Sequence, residues 1–200
     1  MKKDNYPVYC LTVYLIFWAL LAINPVNRVD WFLENILPFI FVPLLVLAYK
    51  RFRFSNTSYT LIAIFLMLHA IGSHYTYSQT PFFSELFGHR LQRDHYDRVI
   101  HFTFGFFIVY PLREFIVRKA MLEGWWSYCL PWAVIVSFSA LYELMEWGVA
   151  SIVAANYANA WLGIQGDEWD AHKDMLLATT GALIALLIAF FRSKLNPVKT

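Results

Sequence analysis

Six long apolar runs, separated by short polar stretches, set the pattern of the chain. Runs near 20 residues are what an α-helix needs to cross the hydrocarbon core of a bilayer. The pattern predicts spans near residues 7–24, 31–49, 57–74, 98–117, 128–154 and 170–191. The expected fold is therefore all-α: a multi-pass transmembrane bundle forming a single integral-membrane domain over residues 1–200. Pro111 and Pro131 fall within the fourth and fifth spans, as membrane helices tolerate when neighbours satisfy the freed backbone groups. The N-terminal MKKDN before the first apolar run reads as the flank of an uncleaved first span, with no clear small-residue cleavage site after it.

The polar positions between the runs give the orientation. An even number of spans puts both termini on one side. That side would carry Lys2, Lys3, Lys50, Arg51, Arg53, Arg118, Lys119, Arg192, Lys194 and Lys199. The opposite side would carry Arg28, Arg90, Arg93, Arg98 and Lys173. Basic residues favour cytoplasmic loops, so both termini are expected in the cytoplasm, in a bacterial inner (plasma) membrane. The 74–97, 24–30 and 155–169 loops then face outward. Within the first of these, TPFFSELFGHRLQ predicts either a short interfacial helix opened by Pro81 or an irregular aromatic loop.

Composition agrees with the pattern. The chain is 59% hydrophobic and only 15% charged, where soluble domains carry about 25% charged residues. Cys10 and Cys129 lie in apolar runs without CxxC or Cys/His spacing, which argues against a disulfide framework or thiolate metal site. No nucleotide, dinucleotide, haem or nucleic-acid motif is present. The expected partners are membrane lipids and a lipid or envelope-linked substrate.

The candidate chemistry lies where ionisable residues enter the spans. HYDRVIHF opens span four with Asp97 and His101 four residues apart, on one helix face. Span five carries Glu143 and Glu146, and span six opens with Asp170 and Asp174. Span three ends with His69 and His74; His69 reads as a hydrogen-bonded packing residue. A charged side chain at mid-bilayer costs roughly 2.5–3.5 kcal/mol, so such groups normally face a bundle interior or wet cavity. One outward-facing pocket walled by spans three to six is the expectation. Close carboxylates repel unless protonated or neutralised by a cation. A divalent metal ion on oxygen and imidazole ligands would neutralise them and activate water. The candidate metal ligands are His101, Asp170, Asp174 and His74. The candidate catalytic residues are Glu143, Glu146 and Asp97, with Asp97 also placed to orient His101.

HYDRVIHFTFGF, SALYELMEW and QGDEWDAHKDMLLATTGA, preceded by IGSHYTY, resemble the YjdF-type bacterial inner-membrane proteins, a family of unknown function. The resemblance covers roughly residues 60–190 and implies a multi-pass topology. A more distant likeness is to the VanZ-like membrane proteins. Asp97 with His101–Phe102, then Glu143, then Asp174 with Gly181 fit that pattern, while Ala178 stands where it carries Asn. Three functions compete on these residues: a membrane-embedded enzyme, a proton-coupled transporter, and a non-catalytic envelope or partner-binding protein.

Overall fold

A computed structural model describes residues 5–81, 94–152 and 167–195. Among them the chain is helical throughout: α1 (Tyr6–Leu21), α2 (Arg28–Glu34), α3 (Ile36–Ala48), α4 (Asn56–His74), α5 (Tyr96–Ala120), α6 (Trp126–Ile152) and α7 (Asp170–Leu195). Among the described residues, five stretches are long and apolar enough to cross a membrane: Arg28–Ala48, Asn56–His74, Tyr96–Ala120, Trp126–Ile152 and Asp170–Ser193. The first apolar run forms the shorter helix Tyr6–Leu21 rather than the full 7–24 stretch. It stops because Asn24 turns left-handed, with φ 49°, just ahead of Pro25. The Pro81–Leu91 segment lies, apart from Pro81, outside the described residues.

Span two is two helices joined at Asn35. The Asn27 side chain caps α2 by accepting from the Val29 and Asp30 amides. Asn35 is fully buried at the break. Its amide donates to the Trp31 carbonyl at 2.7 Å, and its carbonyl accepts from Trp18 Nε1 at 2.7 Å. A buried amide satisfied on both sides thus ties the ends of α1 and α2 together.

The centre of the bundle is the α5–α7 contact. A Cβ added at Gly105 would strike the Ala178 carbonyl oxygen and lie 2.9 Å from the Ala182 amide nitrogen. A Cβ at Gly181 would strike the Phe102 carbonyl oxygen. Small residues on both helices let the backbones approach closely, the usual solution where lipid supplies no hydrophobic drive between helices. Below this contact, Val109, Ile135, Ala182 and Leu186 form a buried apolar cluster shared by α5, α6 and α7. The outward faces expose Phe138, Leu141, Leu144, Trp147, Leu183 and Leu187, as expected of helices whose solvent is lipid.

The two ends of the bundle differ in charge. The N-termini of α5 and α7 and the C-terminus of α6 share an acidic end. Arg113, Arg118, Lys119 and Arg192 mark a basic end. At the basic end the Glu114 carboxylate closes the α4 N-terminus. It accepts from the Ser55 amide at 2.8 Å, Ser55 Oγ at 2.8 Å, Ser58 Oγ at 2.5 Å and Arg118 Nη1 at 2.6 Å. A helix N-terminus favours a negative charge, and bonds to an ionised group are the stronger ones. Glu114→Ala is expected to destabilise the protein by about 1–3 kcal/mol, measured as a lower thermal midpoint in detergent.

Candidate functional site

Three helices deliver the acidic cluster. Asp97 lies in the first turn of α5, His101 one turn further, and Asp174 one turn inside α7. One ligand atom from each of Asp97, His101 and Asp174 falls within 4.8 Å of the others. Two donors at about 2.0–2.4 Å from a common ion lie no further apart than this. His101 Nε2 is 3.5 Å from Asp97 Oδ1 and 3.5 Å from Glu143 Oε1 on α6. His101 and Asp174 are buried, Asp174 to 2% exposure. Among the described residues, Asp174 Oδ1 and Glu143 Oε1 are buried with no hydrogen-bond partner. Buried carboxylate oxygens are expensive to leave unpaired. Glu143 Oε1 has only the 3.5 Å approach of His101 Nε2, and Asp174 Oδ1 belongs to the same cluster.

The other expected site residues divide. Glu146 lies among the carboxyls of Asp97, Glu34 and Glu143. Asp170 is buried but turned to Arg98, whose Nη2 is 3.3 Å from its Oδ1. The same Arg98 nitrogen reaches Asp167 Oδ2 at 2.5 Å, and Lys173 Nζ reaches that oxygen at 2.5 Å. Arg98 therefore clamps the start of α5 to the turn ahead of α7, beside the cluster. His74 stands apart from the ligand atoms: its Nδ1 donates to the Leu21 carbonyl at 2.7 Å, joining the ends of α4 and α1. His172 packs its ring on Trp169.

The clamp has a pH signature. Bonds from Lys173 first, then the Trp169 amide and Arg98, hold the Asp167 carboxyl down at about 2. A carboxyl depressed in the folded state contributes above its ordinary value near 4, and loses that contribution as pH falls towards 2. The side chain is partly exposed, so the effect is small. The gap in melting temperature between wild type and Asp167→Asn is expected to stay constant above about pH 5 and to close between about pH 4 and 2.

Further polar residues lie behind the cluster, and the sequence pattern does not single out two of them, Glu34 and Tyr142. Glu34, at the end of α2, is buried, and Tyr142 of α6 donates to its Oε2 at 3.2 Å. The Tyr142 ring stands edge-on to His101 at 5.8 Å. The Glu34 carbonyl accepts from His69 Nε2 at 3.1 Å, and the Tyr77 hydroxyl lies 2.5 Å from His69 Nδ1. A carbonyl only accepts, so the His69 proton sits on Nε2 and Tyr77 donates to Nδ1. Burial holds the Tyr77 phenol well above its usual range, so it keeps that proton. His69 is thus a hydrogen-bonded packing residue. The spacing of Asp30 and Glu34 was the available signal: it repeats the four-residue interval of Asp97–His101 and Asp170–Asp174.

The chain matches the family described as "Predicted membrane protein (DUF2238)" over residues 6–195. It is also 32% identical over 187 residues to the inner membrane protein YjdF of Escherichia coli (strain K12), an alignment covering 92% of this chain and 87% of that protein. The chain belongs to this family of membrane proteins. It is a multi-pass helical protein of the inner membrane, and its family is one without an assigned activity. No solved structure matches it. The matched region includes every helix carrying the cluster, from Glu34 to Asp174.

Proposed function

We propose that the protein is a membrane-embedded, metal-dependent enzyme acting on a lipid or lipid-linked envelope substrate at the outer face of the membrane. The observation that carries this reading is the convergence of Asp97, His101 and Asp174 within 4.8 Å, with the buried Asp174 Oδ1 lacking a hydrogen-bond partner among the described residues. Two carboxylates and an imidazole are a donor set suited to a divalent ion such as Zn2+ or Mn2+. Such an ion supplies Lewis acidity and lowers the proton affinity of bound water. Glu143, beside His101, would act as the general base, with Glu146 one turn on as its proton partner. Tyr142 and Glu34 orient the α6 end of the site from behind. The clamp at Arg98 fixes the approach of α7.

The positive-inside pattern supports an outward-facing acidic end, with both termini cytoplasmic. The buried apolar Val109–Ile135–Ala182–Leu186 cluster below the site favours an enzyme over a transporter, because a carrier needs a polar path to both sides.

The test compares membranes of a strain lacking the protein, complemented with wild type or with Glu143→Gln at matched expression. Lipid profiling should show one lipid class accumulating in the deletion strain and in Glu143→Gln, and cleared by wild type. A Glu143→Gln protein that restores the wild-type lipid profile would sink the enzymatic reading.

A further inference from the structure

The basic end of the bundle holds a cavity that the acidic site does not use. It measures about 460 Å3 and lies between the end of α5, the α5–α6 turn, the start of α6 and the end of α7. Pockets that take small molecules run from about 300 to 1,000 Å3. Its polar wall is Arg113, Ser127, Tyr128 and Ser193, and its apolar wall includes Val117 and Phe190. Glu123, its carboxylate, is exposed.

Arg113 is the unusual member. It sits inside a membrane-spanning helix, where an unpaired cation is costly. Its Nη2 donates to Ser127 Oγ at 3.2 Å, and its guanidinium stacks over the Tyr128 ring at 4.2 Å. Its Nε is buried and has no partner among the described residues. Neither Ser127 nor Tyr128 neutralises the charge. The Ser127 hydroxyl is itself directed to the Gly124 carbonyl at 2.8 Å, so the serine holds the guanidinium in place. A planar fork with unused donors, held against a cavity, is suited to a phosphate.

The surroundings choose the source of that phosphate. Trp125 in the cavity wall and its neighbour Trp126, 74% and 68% exposed, mark headgroup level at this end. Lys119 and Arg192 add positive charge at the same end, and Phe190 of the apolar wall is itself exposed. We propose that this cavity binds the phosphate of an anionic phospholipid headgroup, gripped by Arg113 and seated against Tyr128. The site is independent of the acidic cluster.

The experiment uses the full chain in a neutral detergent, offered phosphatidylglycerol, phosphatidylcholine or inorganic phosphate. Retained lipid is read by native mass spectrometry, and the melting temperature is read alongside. Wild type is expected to retain phosphatidylglycerol at least about tenfold more strongly than phosphatidylcholine. Arg113→Gln should lose that preference, and Arg113→Lys should keep only part of it, since it retains the charge without the fork. Equal retention of the two lipids by wild type, or undiminished retention of phosphatidylglycerol by Arg113→Gln, overturns the proposal. Inorganic phosphate that stabilises wild type as fully as phosphatidylglycerol assigns the cavity to the free anion and overturns the lipid. If Arg113→Gln does not fold, the wild-type lipid comparison decides.

Discussion

Asp174→Asn is expected to lower divalent-metal affinity by at least about a hundredfold, taking an otherwise loaded protein to the empty form at micromolar metal. Even outer-shell partners of metal ligands contribute about 10–100-fold, and a direct anionic ligand contributes at least as much. Asp174 is the most buried member of the cluster at 2% exposure, and its Oδ1 has no described hydrogen-bond partner. The amide keeps the shape and removes the charge. Without metal, wild type must hold Asp97, Glu143 and Asp174 together against their mutual repulsion. Asp174→Asn should therefore leave the metal-free protein as stable as wild type, or more so. Metal content by mass spectrometry, with melting curves before and after chelation, gives both numbers. Equal metal content in the two proteins, or no divalent metal in wild type under any supply, would remove the metal from the proposed mechanism.

Gly105→Val carries the second large effect, and it bears on the fold. Adding even a Cβ at Gly105 meets the Ala178 carbonyl, which is backbone and cannot swing aside. Overpacking a tight contact typically costs about 1–3 kcal/mol, more where nothing can yield. A branched residue here should exceed that range. The α5–α7 contact would be forced apart, separating Asp97 and His101 on α5 from Asp174 on α7. Gly105→Val is expected to lose the cooperative thermal transition and, if the proposed function holds, the capacity to bind metal. Gly148→Val is the control, because a Cβ there meets nothing within 4 Å. If Gly105→Val melted as wild type does, the close approach of α5 and α7 would be wrong.

Much of this was legible in the sequence because the bilayer restricts what a chain can do. Ionisable residues at one end of apolar runs have to point inward, so Asp97, His101, Glu143 and Asp174 could be put together from spacing and orientation. Less was legible where tertiary contacts choose among equivalent neighbours. Asp170 and Asp174 share a helix face, yet Asp170 lies one turn closer to the end, where the long Arg98 side chain meets it. His74 has the chemistry of a ligand, but it ends α4 beside the α1 terminus, and the Leu21 carbonyl takes its proton. Glu34 escaped notice because it precedes the Asn35 break in a span that otherwise reads as apolar. Ala178 is fully buried where α7 meets Gly105, a contact with little room for a longer side chain.

The buried apolar layer of Val109, Ile135, Ala182 and Leu186 has an electrical consequence. It interrupts the α5–α6–α7 bundle between the acidic cluster and the basic end. An ion or proton reaching the cluster therefore crosses only part of the transmembrane field. Moving one charge through the whole field is worth about 2.3 kcal/mol per 100 mV, and occupancy here would feel only a fraction of that. Loading of the site should follow the pH and ion content of the one compartment it faces, and should change little when the membrane is depolarised.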